Sequence, residues 1–312
     1  MPYTLSVAAR TDIGGSKNKE NQDRVYVNDE HRVFAVLDGH GSQGGLFADA
    51  VTESFEHTIC NGSKADLFMN AAHALLNKPH LRDGGSTATV LTINDEAGLI
   101  VVSTVGDSDA RIWLPRGTVS EPAGLRGEQD GYPLNVDHSA TSESERKRIM
   151  EDATVKGVRF LYDGYATVGP AKDIYSRDIE SGEIIKDPKG VYHNTVRGEW
   201  ASYLKRPSGE QLAVTRTFGD FGMQPYGVTS LPTTEIWPLP QPGETLSIVI
   251  ASDGFWDCVH YEAVGDLVRR PDLLGNAEAA AEVLMDYGLA KGKESFGSSS
   301  DNIAVMVLYF KG

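Results

Sequence analysis

The sequence predicts an α+β fold in which antiparallel β-sheets are covered on the outside by helices, and three observations predict it. Short, strongly apolar runs recur along the chain (Val33–Leu37, Ser247–Ala251 and Ile303–Val307), and runs of this length read as buried strands. Stretches with helical apolar spacing stand between and after them. Successive strands follow one another without the regular strand–helix–strand alternation of a doubly wound parallel sheet.

Taken in order, Val33–Leu37 is a strand that runs straight into Asp38-Gly39-His40-Gly41. Residues 45–59 carry Phe47, Val51, Phe55 and Ile59 four apart, an amphipathic helix, and residues 64–77 repeat the pattern with Leu67, Phe68, Ala71, Ala72 and Leu75. Ser86–Ile93 and Leu99–Val105 read as strands, and Gly106-Asp107-Ser108-Asp109 reads as a hairpin turn into Ala110–Leu114. Ser142 with Glu145 three residues on is a capping box opening a short basic helix through Ile149. Residues 153–209 have weak periodicity, many charges and scattered Gly and Pro; they are expected to form an irregular, flap-like insertion over the active face of a single domain spanning 1–312. Asn276 is positioned to cap a helix through Tyr287, with Ala280, Val283, Leu284 and Tyr287 on its apolar side.

The composition is that of an ordinary globular protein: 40% hydrophobic and 23% charged among 312 residues. Forty-four acids against 29 bases give a formal charge of −15, which disfavours nucleic acid and anionic membrane as partners, since phosphate backbones are held by Lys and Arg. Cys60 and Cys258 are read as small buried hydrophobes in a reducing compartment. Met1-Pro2-Tyr3-Thr4 opens no basic segment followed by an apolar one, and no apolar run approaches spanning length. A monomeric protein in the cytoplasm or nucleus, with no membrane partner, is therefore expected.

The chemistry is carried by three aspartates at strand ends. Asp38 follows Val33–Leu37, Asp253 follows Ser247–Ala251 and Ser252, and Asp301 opens Ile303–Val307. If these strands share a core, their carboxylates gather at its rim, where mutual repulsion is relieved by a proton or a cation. An oxygen-rich cluster lacking Cys or a set of His suits Mg²⁺ or Mn²⁺ and argues against zinc. The pattern is that of a two-metal hydrolase. There is no Cys-x5-Arg loop of a thiolate phosphatase and no Walker loop of a nucleotidase.

Eight stretches then match one family in its order: Asn21-Gln22-Asp23, Val36-Leu37-Asp38-Gly39-His40-Gly41, Gly85-Ser86-Thr87-Ala88, Val105-Gly106-Asp107-Ser108, Asp137-His138, Leu212 through Asp220, Ala251-Ser252-Asp253-Gly254 and Asp301-Asn302-Ile303. The chain resembles the metal-dependent serine/threonine protein phosphatases of type 2C. The resemblance implies a sandwich of two antiparallel sheets with helices on both outer faces. It also implies phosphoprotein substrates and attack on phosphoserine or phosphothreonine by a hydroxide held between two ions. Asp38 would bridge those ions, with the Gly39 carbonyl on one and Asp253 and Asp301 on the other. His40 would protonate the leaving oxygen. Asp23 and Gln22 would reach metal waters, and Asp107 would serve a third, weaker ion. Many members carry Glu where Gln22 stands, and an Arg upstream where this chain has only Lys17 and Lys19; one of these lysines is expected to contact phosphate, as a point charge in place of a planar fork. Arg216, Asp220 and the Asp137-His138 pair read as structural. The alternative, an inactive member serving as a phosphoprotein-binding or regulatory module, is opposed by intact Asp38, Asp253 and Asp301.

Overall fold

The computed structural model describes residues 3–16, 19–115, 127–163, 170–187 and 192–312. Two five-stranded sheets form the centre, and every pairing in them is antiparallel. The first runs Thr4–Asp12, Ile303–Lys311, Thr245–Ala251, Asp109–Trp113, Tyr132–Pro133; the second runs Thr233–Pro238, Leu99–Val105, Ala88–Asn94, Val33–Leu37, Arg24–Asn28.

The continuous apolar runs are explained by burial on both faces of each sheet. Side chains alternate along a strand, so Phe34 and Val36 meet Ile248, Ile250, Met306 and Leu308 between the sheets, in one buried cluster. Val33, Ala35 and Leu37 face the other way, onto Phe47, Val51 and Phe55 of the helix Gly44–Cys60 and onto the helix Leu67–Leu76. Likewise Val305, Val307 and Tyr309 pack under Ala280, Ala281 and Leu284 of the helix Ala277–Phe296. The fold is thus the expected sandwich with helices on both outer faces.

Four local expectations are corrected. Gly106–Ser108 is not a hairpin turn: Leu99–Val105 pairs in the second sheet and Asp109–Trp113 in the first, so this segment carries the chain from one sheet to the other. Ser142 does sit at the N-cap of the helix Glu143–Glu151, but no capping box forms: Ser142 Oγ meets Ser144 Oγ at 3.0 Å, and Glu145 is turned inward to Arg216, Arg148 and Thr215. The last helix continues past Tyr287 to Phe296. Gly288, a poor helix former, is retained there by packing: a Cβ on it would lie 2.6 Å from the Phe255 ring. Cys60, the last residue of its helix, is exposed, whereas Cys258 is buried as expected.

The described part of 153–209 is more regular than its periodicity suggests. Arg159–Tyr162, Lys172–Asp173, Ser202–Lys205 and Gln211–Leu212 make a small sheet, and Tyr175–Arg177 pairs with Ile184–Lys186 as a two-stranded ribbon. Phe160, Tyr162, Ile174 and Leu204 bury themselves against Ala140, Ile149, Met223 and Val228. The strands are two to four residues long and charged on their open side, which conceals the alternation from a sequence window.

Candidate active site

The Asp38-Gly39-His40 segment is fixed by a miniature sheet of three two-residue strands. Gly85–Ser86 lies in the middle, with Gly39–His40 on one side and Phe218–Gly219 on the other. Three separate sequence motifs are therefore one structure, and it sets His40 Nε2 2.6 Å from Asp220 Oδ2. Gly85 has to be glycine: a Cβ there would lie 2.2 Å from Asp220 Oδ2 and 2.5 Å from the Phe218 carbonyl oxygen. Asp220 itself takes a left-handed φ of 42°, a conformation costly for a non-glycine residue and retained where surroundings over-determine it. Gly39 is demanded by close approach, since its Cβ would stand 2.4 Å from the Gly44 carbonyl oxygen at the start of the first helix.

Asp38 stands where the second sheet ends. Its N–H donates to Thr87 Oγ1 (3.2 Å) and its carbonyl accepts from Thr87 N–H (2.8 Å). Thr87 Oγ1 also bonds Ser108 Oγ (2.8 Å), which ties Asp38 to the Asp107 segment where the chain changes sheets. From the first sheet come Asp253, opening the short helix Asp253–Trp256, and Asp301, whose Oδ1 accepts from the N–H of Asn302 at 2.7 Å. The two are held close by Gly254, where a Cβ would meet the Asn302 carbonyl oxygen at 1.9 Å. Asp23 is buried and accepts from Ser252 Oγ at 2.7 Å, while Ser252 Oγ accepts from the N–H of Ala304 at 2.9 Å.

The electrostatics show that these carboxyl groups are one cluster. Burial first, then the charges of Asp253, Asp23, Asp301 and Asp107, hold Asp38 well above the usual carboxylate range. Burial, then Asp253 and Asp301, push Asp23 up to about 8, against hydrogen bonds to Ser252 and Asp38 that act downward. Asp301 rises to about 6 through burial and Asp253. Asp107 and Asp257 are raised well above the normal range by burial and again by Asp253. Asp253 is thus the charge common to all five. Such a set keeps its protons or takes up cations, and an all-oxygen donor set fits a hard divalent ion. No three or more His, Cys, Asp or Glu side chains among the described residues close around one point as a ready-made cage.

A cavity of about 830 Å³ opens beside this cluster, with Asp107, Asp137, Asp253 and Asp257 on one wall and Tyr162, Lys186, Arg197 and Trp200 of the 153–209 stretch on the other. A second, of about 420 Å³, has Asp253, Asp257 and Asp301 facing Tyr192 and Tyr203. Asp38, Gly39 and His40 line neither cavity.

Of the sequence candidates, Asp38, Asp23, Asp107, Asp253 and Asp301 come together electrostatically, with Gly39 and His40 continuing from Asp38. Gln22 lies against the Gly39–Gly41 segment: its side-chain nitrogen donates to the Gly41 carbonyl (2.9 Å) and to Glu20, and its backbone N–H donates to Asn302 Oδ1 (2.8 Å). Lys19 is exposed on its loop, and Lys17 lies outside the described residues. The sequence reading does not single out Asp257, four residues after Asp253, although that spacing puts both on one side of a helical turn. Asp220, read as structural and paired, is paired, with His40 Nε2. Arg216 is structural as read, paired with Glu145 at 2.6 Å. His138 is structural too: its Nδ1 accepts from Gly106 N–H, its Nε2 meets Thr233 Oγ1, and burial holds it near 3, so it stays neutral. Its neighbour Asp137 lines the larger cavity and is raised to about 6 by burial and by Asp109, Glu199 and Glu145.

The protein phosphatase 2C family model matches residues 13–156 and 191–296. The probable protein phosphatase 2C 28 of Arabidopsis thaliana is 36% identical over 289 residues, covering 89% of this chain and 64% of that protein. Protein phosphatase 2C homolog 2 of Hypocrea jecorina is 26% identical, covering 90% of this chain and 54% of that protein. The chain thus spans about half to two thirds of these relatives' length. Among solved structures, serine-threonine phosphatase 2C from Toxoplasma gondii superposes with a TM-score of 0.66 at 21% identity, covering 99% of this chain and 96% of the other. The catalytic domain of the phosphatase PstP in complex with two manganese ions gives a TM-score of 0.52 at 16% identity, covering 99% and 100%. With the family's motifs spread across both sheets and its model matching most of the chain, this protein belongs to the protein phosphatase 2C family.

Proposed function

We propose that the protein hydrolyses phosphoserine and phosphothreonine in protein substrates, dependent on two Mg²⁺ or Mn²⁺ ions and a weaker third. The observation that carries this reading is the convergence of Asp38 from one sheet with Asp253 and Asp301 from the other into a cluster whose members raise one another's proton affinity. Asp38, the Gly39 carbonyl, Asp253 and Asp301 would hold the ion pair. Asp23 stands behind Asp38 as a hydrogen-bonding neighbour, and Asp107 with Asp257 would take the third ion. When bound, such ions make hydroxide available at neutral pH and offset the charge of the phosphoryl oxygens. The relative solved with two manganese ions supports that stoichiometry.

The remaining work belongs to the chain itself. Asp220 holds His40 through Nε2 and fixes the ring, which leaves Nδ1 to supply the proton that a serine or threonine alkoxide needs on departure. Cys258 is no rival nucleophile, because burial and the neighbouring aspartates push its thiol up to about 12. In this reading water attacks directly at phosphorus, with no phosphoenzyme. Lys19, exposed on its loop, or Lys17 would meet phosphate. The cavity wall built from 153–209 would contact the substrate chain around the phosphorylated residue.

The test is turnover of a phosphothreonine peptide with Mn²⁺ and Mg²⁺ titrated, wild type beside Asp253→Ala. Metal-dependent turnover that vanishes in the variant is expected. A folded wild type that releases no phosphate at any metal concentration would refute the proposal.

A further inference from the structure

The 153–209 stretch contributes to the cavity wall, and something must hold it against the carboxylate cluster. Arg197 makes contacts of that kind. Its Nη1 donates to the backbone carbonyl oxygens of Trp256 and Val259 (2.7 Å to Val259). Its Nε and Nη2 bind the two oxygens of Glu199 at 3.3 and 2.8 Å. The guanidinium carbon lies 4.3 Å from the centre of the Tyr261 ring, which also takes Arg111 at 3.4 Å. Two neighbours join the same contact: Val196 N–H donates to the Asp257 carbonyl at 2.8 Å, and Asn194 Nδ2 reaches Asp257 Oδ2 at 3.5 Å.

All these partners on the body of the protein lie in 256–261, the turn that follows Asp253 and contains Asp257. We infer that Arg197 is a positioning residue that latches the flap onto this turn and so sets Asp257 beside Asp253 and Asp107. The inference rests on the two-metal reading of the site. Arg197 is suited to the task and lysine is not, because the latch uses a planar fork: one edge caps two carbonyls, the other grips a carboxylate, and the flat face stacks on a ring. Its side chain is only 13% exposed and four of its five N–H donors are engaged, which makes it a brace in place of a phosphate contact.

The experiment compares wild type, Arg197→Ala, Arg197→Lys, Glu199→Gln and a control, Arg159→Ala. Arg159 lies on the same flap but, among the described residues, pairs with Asp173 at the surface. Mn²⁺ binding is read by calorimetry on folded protein, alongside kcat and KM on a phosphothreonine peptide. The half-saturating Mn²⁺ concentration of the weakest binding step should rise about tenfold in Arg197→Ala. Arg197→Lys should recover less than half of that loss, Glu199→Gln should fall between lysine and wild type, and Arg159→Ala should match wild type. KM for the peptide should rise more than kcat falls. If Arg197→Ala proves unfolded, Arg197→Lys and Glu199→Gln carry the comparison. Wild-type Mn²⁺ binding in a folded Arg197 variant overturns the latch. A wild type that binds Mn²⁺ without releasing phosphate overturns the phosphatase reading instead, so the two failures are distinct.

Discussion

Removing the charge of Glu145 should destabilise the protein by about 3 kcal/mol. Glu145 is 1% exposed, yet it accepts from Arg216 Nε and Nη2 (3.0 and 2.6 Å), Arg148 Nη2 (2.7 Å) and Thr215 Oγ1 (2.8 Å). Burial acts against the charge, but these hydrogen bonds and the arginine charges outweigh it and hold the carboxyl at about 2 in place of 4.5. A folded value below the unfolded one means stability that is present above about 4.5 and lost as pH falls through about 2. Linkage converts that difference to about 3 kcal/mol at neutral pH. Breaking a buried ion pair by removing one partner costs a similar ~3–5 kcal/mol. The unfolding entropy of a chain this long, about 2 cal/mol/K per residue, turns 3 kcal/mol into a drop of about 5 °C. Glu145→Gln keeps the shape and strands two arginines, so thermal unfolding at pH 7, with urea titration beside it, is the assay. A midpoint within 1 °C of wild type would refute the reasoning, because it would mean the network is worth no more than a surface pair.

Three further outcomes are expected. Gly85→Ala should displace Asp220 from His40, because the new methyl would overlap Asp220 Oδ2; turnover of alkyl phosphates should fall about 100-fold while Mn²⁺ binding stays within threefold. His40→Ala should slow poor leaving groups more than good ones, and a uniform loss across a leaving-group series would count against His40 as the acid. In chelator, the stabilisation that comes from the protons held by Asp23 (raised to about 8) and Asp301 (raised to about 6) is complete below about pH 4 and is lost as pH rises from there through 6 and 8. The melting temperature without metal should therefore fall across that window, and Mg²⁺ should flatten the fall; a metal-free protein equally stable at pH 5 and pH 8 would contradict the cluster.

What the sequence determined by itself was the local chemistry. Buried strands show as apolar runs because both faces of each sheet are covered, so Val33–Leu37 and Ile303–Val307 needed no partner to be recognised. The aspartates at their ends were legible for the same reason: an acid after a buried run must lie at a sheet's rim. Which sheet each strand joins was not legible. Gly106–Ser108 looks like a hairpin turn, and only long-range pairing shows that it crosses between sheets. Glu145 has the spacing of a capping box, yet a buried arginine 71 residues away takes it. Asp220, 180 residues from His40, meets it only because Gly85 lets two short strands approach. Residue type and spacing decide which groups can bind a cation or move a proton; which of them share one low-dielectric site depends on contacts remote in sequence, and those are settled by packing.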